Sequence, residues 1–161
     1  MTSTFILYLS IEGVLVPLER PVSRYRTERL AVDKPHAREL ADMLLDTDRI
    51  RIVINSAWIP ISGFRTVLDM LPTELGVRVI GATAPGNRLL RNHRTACPCS
   101  KSRWLADDVN RREPTQLTVL DSDSRNVPVP LRDRAVIVPD GLWAASRDDW
   151  TRLRHMLVPP D

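Results

Sequence analysis

The chain has 161 residues, 43% of them hydrophobic and 27% charged, which suits one soluble domain with a sizeable core. No apolar run approaches the roughly 20 residues that span a bilayer, and two cysteines make no disulfide framework. The net charge of +3 comes from arginines scattered among acids, with Lys34 and Lys101 the only lysines, so nucleic acid stays an open partner that nothing indicates.

The start, MTSTFILYLSIEG, has neither the basic opening nor the small-residue cleavage site of a secretory leader, and a cytoplasmic location is the expectation. FILYLS (5–10) is the first buried strand; an irregular stretch (16–34) follows it. PHARELADMLLD (35–46) has helical spacing, and Pro35 suits a first helical turn. IRIVI (50–54) is the second strand, and SGFRTVLDML (62–71) a helix with Ser62 as its expected N-cap. VRVI (77–80) is the third strand. A second irregular stretch (82–99) carries Arg88, Arg91, His93 and Arg94 and ends on Cys97-Pro-Cys99. His93 and the two cysteines would need a fourth ligand for a tetrahedral metal site, so incidental loop cysteines are the better reading. SKSRWLADDVNRR (100–112) is helical, QLTVL (116–120) and AVIV (135–138) are strands, and Ser146 with Asp149 fits a capping box opening the last helix. There Leu153, Met156 and Leu157 form the expected buried stripe.

Strands alternating with helices predict a single α/β domain over residues 1–161, a doubly wound parallel sheet of about five strands with right-handed crossovers. Ligands in such sheets bind outside the carboxyl ends of the strands. Those ends carry Ser10 and Glu12, then Asn55 and Ser56, then Gly81 and Thr83, then Asp121, Ser122 and Asp123. Hydroxyls and carboxylates collect where a phosphate or a metal would be held.

Taken in order, LYLSIEGVL, IVINSAW, a lysine ahead of an amphipathic helix and LTVLDSD resemble the haloacid dehalogenase (HAD) superfamily of phosphohydrolases. RVIGAT (78–83) and VPDGL (138–142) extend the likeness over nearly the whole chain. The chain is most similar in pattern to small, cap-less bacterial members, related to the phosphatase-like domain of RNA-repair proteins. The resemblance implies that Ser10 stands at the nucleophile position and Glu12 at the acid/base position. It implies phosphate binding by Ser56 with Lys101 or Arg94, and Mg²⁺ binding by Asp121 and Asp123, with Ser122 between them in place of an acid.

Three of those positions depart from the family's aspartates. An aspartate nucleophile gives a labile acyl phosphate, whereas a serine needs an activating base and gives a stable ester. Ser10 also removes a hard anionic oxygen that Mg²⁺ prefers, so the metal site is expected to be weak or lost. Glu12 keeps a carboxylate displaced by about one C–C bond, and a misplacement of ~1 Å can cost on the order of a hundredfold. The expected function is therefore a HAD-like protein of phosphohydrolase ancestry, catalytically impaired, binding a phosphorylated small molecule or macromolecule. The alternatives are an active metal-dependent phosphohydrolase with a non-standard site, acting on nucleic-acid ends with Glu12 as base, and a non-enzymatic scaffold or dimerising module. The plainer readings of the same residues are Ser10 bonded to nearby backbone at a strand end, Asp121 and Asp123 as turn caps, and Trp58 as packing. His36 and His155 have no nucleophilic partner readable in the sequence.

Overall fold

The computed structural model describes residues 4–17, 34–84 and 100–158. Within them the apolar runs become β1 (Phe5–Leu9), β2 (Ile50–Ile54), β3 (Val79–Ala82), β4 (Gln116–Asp121) and β5 (Ala135–Ile137). They pair in parallel throughout, in the order β3-β2-β1-β4-β5. The central strand is buried on both faces, which is why it reads as a continuous apolar run without alternation. Phe5, Leu7 and Leu9 join Ile50, Ile52, Ile54, Leu120 and Val136 on one face. Ile6 and Tyr8 join Val53, Leu117, Val119 and Ala135 on the other.

Two cores of unequal size cover these faces. Ala37, Leu40 and Leu44 of α1 (Lys34–Leu44), Val67 of α3 (Phe64–Leu68), Leu75 of α4 (Thr73–Gly76), and Leu153 and Leu157 of α6 (Arg147–Leu157) fill the first. Leu105 and Val109 of α5 (Ser100–Arg112) close the second. Among the described residues no helix is long and apolar enough to cross a membrane.

Local chemistry moves several boundaries. The expected helix over 62–71 is two short ones, α2 (Ile59–Ser62) and α3, parted by Gly63 at φ 89°, a left-handed angle that suits glycine. Ser62 ends α2, donating its amide to Trp58 O at 2.7 Å, so it does not cap α3. The third strand starts two residues later than expected because Val77 N and Arg78 N bond to Thr73 O and Leu75 O, closing α4 instead of entering the ladder. Gly81 accordingly lies inside β3, where the missing side chain leaves room for the Arg112 guanidinium. The capping box of Ser146 and Asp149 forms as expected, and Leu153 and Leu157 are buried beneath it with Met156 packed at the margin.

Arg78 ties three elements together. Its guanidinium donates to Leu44 O at the end of α1 and to Thr47 O in the turn that follows, at 2.7 Å each, and to Ile50 O at 3.4 Å, adding a charged donor at a helix carboxyl end. Arg78→Ala is expected to destabilise the fold by about 1–3 kcal/mol in urea melts, because those carbonyls lose a charged donor. A change under a few tenths of a kcal/mol would show that water replaces the guanidinium.

Chain order makes the site. From β1 the strands step outward to β2 and β3, and α5 then returns the chain across the sheet to β4 on the other side of β1. The direction of winding reverses between β1 and β4, and a crevice opens at their carboxyl ends.

Candidate functional site at the carboxyl ends of β1 and β4

The ladder runs one residue past β1: Ser10 N donates to Leu120 O at 3.0 Å, and Asn55 N to Leu9 O at 2.9 Å. Ser10 is thereby fixed, with no exposed surface. The chain then folds into a tight loop in which Ile11 O accepts from Leu15 N at 2.9 Å and Gly13 N donates to Val16 O at 2.7 Å. Gly13 sits at φ 78°, the angle its lack of a side chain permits, and the loop holds Glu12 at the strand ends.

Glu12 reaches across to β2. Its Oε2 accepts from Ser56 Oγ at 2.6 Å, and its Oε1 from Ala57 N at 3.0 Å. Ser56 Oγ in turn accepts from Trp58 N at 3.1 Å, so its own proton is left to point at Glu12. Trp58 packs in the core.

Lys101, in the first turn of α5, completes the group. Its Nζ donates to Ser10 Oγ at 2.7 Å and lies 2.9 Å from Glu12 Oε1 and 3.1 Å from Asp121 Oδ2. That last contact is an ion pair without an aligned hydrogen bond. Burial alone would push the Lys101 ammonium down, but Glu12 and Asp121 outweigh it and hold the group above the ordinary lysine range. Two carboxylates against one ammonium leave the cluster one negative charge.

Asp121 ends β4. Its Oδ1 accepts from Ser122 N at 2.7 Å, Asp123 N at 3.0 Å and Asn126 Nδ2 at 2.9 Å. Ser122 thus enters the network through its backbone. Asp123 is turned toward Arg125, accepting its Nε at 2.9 Å and Nη2 at 2.7 Å, which holds its carboxyl below the usual carboxylate range. Asp123 caps a short 3₁₀ turn, and after Arg125 the charge of Lys101 also helps to lower its carboxyl.

Of the residues singled out in the sequence, Ser10, Glu12, Ser56, Lys101 and Asp121 therefore meet in one buried group, and Asp123 stands beside it paired with Arg125. Arg94, Arg88, Arg91, His93, Cys97 and Cys99 lie outside the described residues. Sequence reasoning missed Asn126, whose signal was an amide side chain in a turn just after an aspartate, and the N–H of Ala57, which no side-chain pattern could reveal. A cavity of about 330 Å³ beside Phe5, Gln116, Thr118 and Met156 lies at the opposite, amino-terminal end of the sheet, away from these groups.

The arrangement limits the chemistry. Ser10 Oγ donates to Glu12 O at 3.2 Å and accepts from an ammonium, so among the described residues no neighbouring base takes its proton. The HAD superfamily generally uses Mg²⁺, an ion that favours near-octahedral oxygen ligands including carboxylates. In this chain one converging oxygen is a neutral hydroxyl, both Glu12 oxygens and Asp121 Oδ1 are committed to other donors, and Lys101 occupies the point faced by Asp121 Oδ2, the one buried carboxylate oxygen of the group left without a hydrogen bond among the described residues. These residues, so arranged, do not fit the ion. Among the described residues no group of three or more His, Cys, Asp or Glu side chains is placed to hold a metal.

A family model, the HAD domain in Swiss Army Knife RNA repair proteins, matches residues 6–144. No curated protein and no solved structure matches the chain.

Proposed function

The chain belongs to the family of HAD domains in Swiss Army Knife RNA repair proteins, and on that premise we propose that it binds a phosphorylated ligand without turning it over. Its ancestry is that of a phosphohydrolase; its site has kept donors and lost the nucleophile. The observation that carries this reading is the convergence of Ser56 Oγ, Ala57 N and Lys101 Nζ on a single carboxylate. A hydroxyl, a backbone N–H and an ammonium shared between the two oxygens of one carboxylate are the donor types that hold a phosphoryl group. Ser10, hydrogen-bonded to an ammonium and with no base beside it among the described residues, supports the absence of the covalent route.

The test is an assay of the full chain over a broad set of phosphomonoesters, phosphorylated nucleic-acid ends included, with Mg²⁺, Mn²⁺ or Co²⁺. The expected result is no release of phosphate above a Ser10→Ala, Asp121→Ala control. Robust turnover abolished by Glu12→Ala or Asp121→Ala would overturn the proposal and favour an active enzyme with Glu12 as base.

A further inference from the structure

We infer that the Glu12 carboxylate is a resident anion: it occupies the seat in which a phosphate monoester would be held, so the binding site is closed from within and opens when Glu12 leaves. The inference rests on the reading of this site as a phosphate site and adds how access to it is controlled.

Three donors from two different elements spend themselves on Glu12: Ser56 Oγ at 2.6 Å, Ala57 N at 3.0 Å and Lys101 Nζ at 2.9 Å. Ser56 is pre-oriented for this by Trp58 N, and Ala57 offers a backbone N–H with a fixed direction. Such a set is built for an oxyanion, and it is filled by the protein's own. Side-chain length decides this. The second carboxylate of the group, Asp121, faces the ammonium yet gives its other oxygen to the loop after β4; Glu12 alone bonds to Ser56 and Ala57. The Glu12 side chain is one methylene longer than the aspartate its motif would ordinarily carry, and that length spans from the β1 loop to the end of β2.

Exposure and charge point the same way. Ser10 and Asp121 are fully covered, whereas the side chains of Glu12 and Lys101 keep about 8% of their surface exposed, so the mouth of the site lies on their side. With Glu12 in place an incoming phosphate meets a group that already carries one net negative charge. With it gone, Lys101 and Asp121 balance, and the three donors are free. Asn55, next in the chain to Ser56 and 1% exposed, also keeps an amide nitrogen with no partner among the described residues. A buried donor left this way carries a desolvation cost.

The competition has a measurable size. A ligand that binds only the conformer with Glu12 displaced has its affinity reduced by the fraction of molecules in that conformer. Calorimetric titration of inorganic phosphate into the full chain should therefore show Glu12→Ala binding at least roughly tenfold more tightly than the parent. Adding Ser56→Ala to that variant should remove most of the gain. Glu12→Gln, which keeps the shape and removes the charge, serves as the second variant, with thermal melting run on each to establish folding. Equal phosphate affinity in the parent and both folded variants would overturn the role of Glu12 while leaving the phosphate site standing. Folded variants and parent that all fail to bind phosphate would overturn the site itself.

Discussion

Replacing Lys101 with methionine is expected to destabilise the protein by about 3–5 kcal/mol, the usual effect of removing one partner from a buried ion group. Glu12 and Asp121 would be left facing one another with only neutral donors, and Ser10 would lose its strongest hydrogen bond. For a chain of this size the fall in Tm would be on the order of 10 °C. Adding Glu12→Gln to Lys101→Met removes one of the two unpaired charges and should recover part of the loss, a coupling that a double-mutant cycle reads directly. Were Lys101→Met as stable as the parent, the ammonium would not be what holds the strand ends together. The pH dependence has a definite sign. Glu12 and Asp121 raise the Lys101 ammonium above its ordinary 10.5 despite burial. Its contribution is thus present in full below that value and fades as pH climbs through the higher folded one. The parent should therefore lose stability more steeply than Lys101→Met above pH 10.5.

The second large effect is a gain. The double variant Ser10→Asp, Glu12→Asp should hydrolyse p-nitrophenyl phosphate at least about a hundredfold faster than the parent, the order of rate that placement of a reacting group commonly governs. An aspartate at position 10 would put a carboxylate beside Lys101, 2.7 Å from where the Ser10 hydroxyl now sits, and could form the labile acyl phosphate that serine cannot. Shortening Glu12 by one methylene would withdraw its carboxylate from Ser56 and Ala57 and free those donors for the substrate. Ser122 can be left alone in this variant because it reaches Asp121 through its backbone. Rates would be compared with and without added Mg²⁺. A folded double variant as inert as its parent would mean that more than the acids has changed.

The fold was legible because burial writes itself along the chain. FILYL is apolar at successive positions since both of its faces are covered, IRIVI departs from that only at the exposed Arg51, and the helices between the strands show three-to-four-residue spacing because only one face of each is covered. The breaks were less legible where backbone hydrogen bonds, and not apolar spacing, set them, as at Gly63 and at Val77 and Arg78. The site followed the same division. Ser10, Glu12, Ser56 and Asp121 could be nominated because each follows the end of an apolar run, and strand ends of this sheet lie together. What Glu12 does there could not be read, since its partners are a hydroxyl and an N–H more than forty positions away.

By itself, the sequence determined the parallel α/β architecture, the family frame and the loss of aspartates from it, because these depend on residue type and local period. Only the tertiary structure decided that Lys101, 91 positions from Ser10, stands among Ser10, Glu12 and Asp121, and that Glu12 is held by the donors of β2's end. The reason is range. Hydrophobic spacing acts over a few residues, whereas hydrogen bonds and ion pairs here require atoms from three strand ends and a helix within about 3 Å. Sheet order and register bring the strand ends there, and the packing of α5 on the sheet brings Lys101.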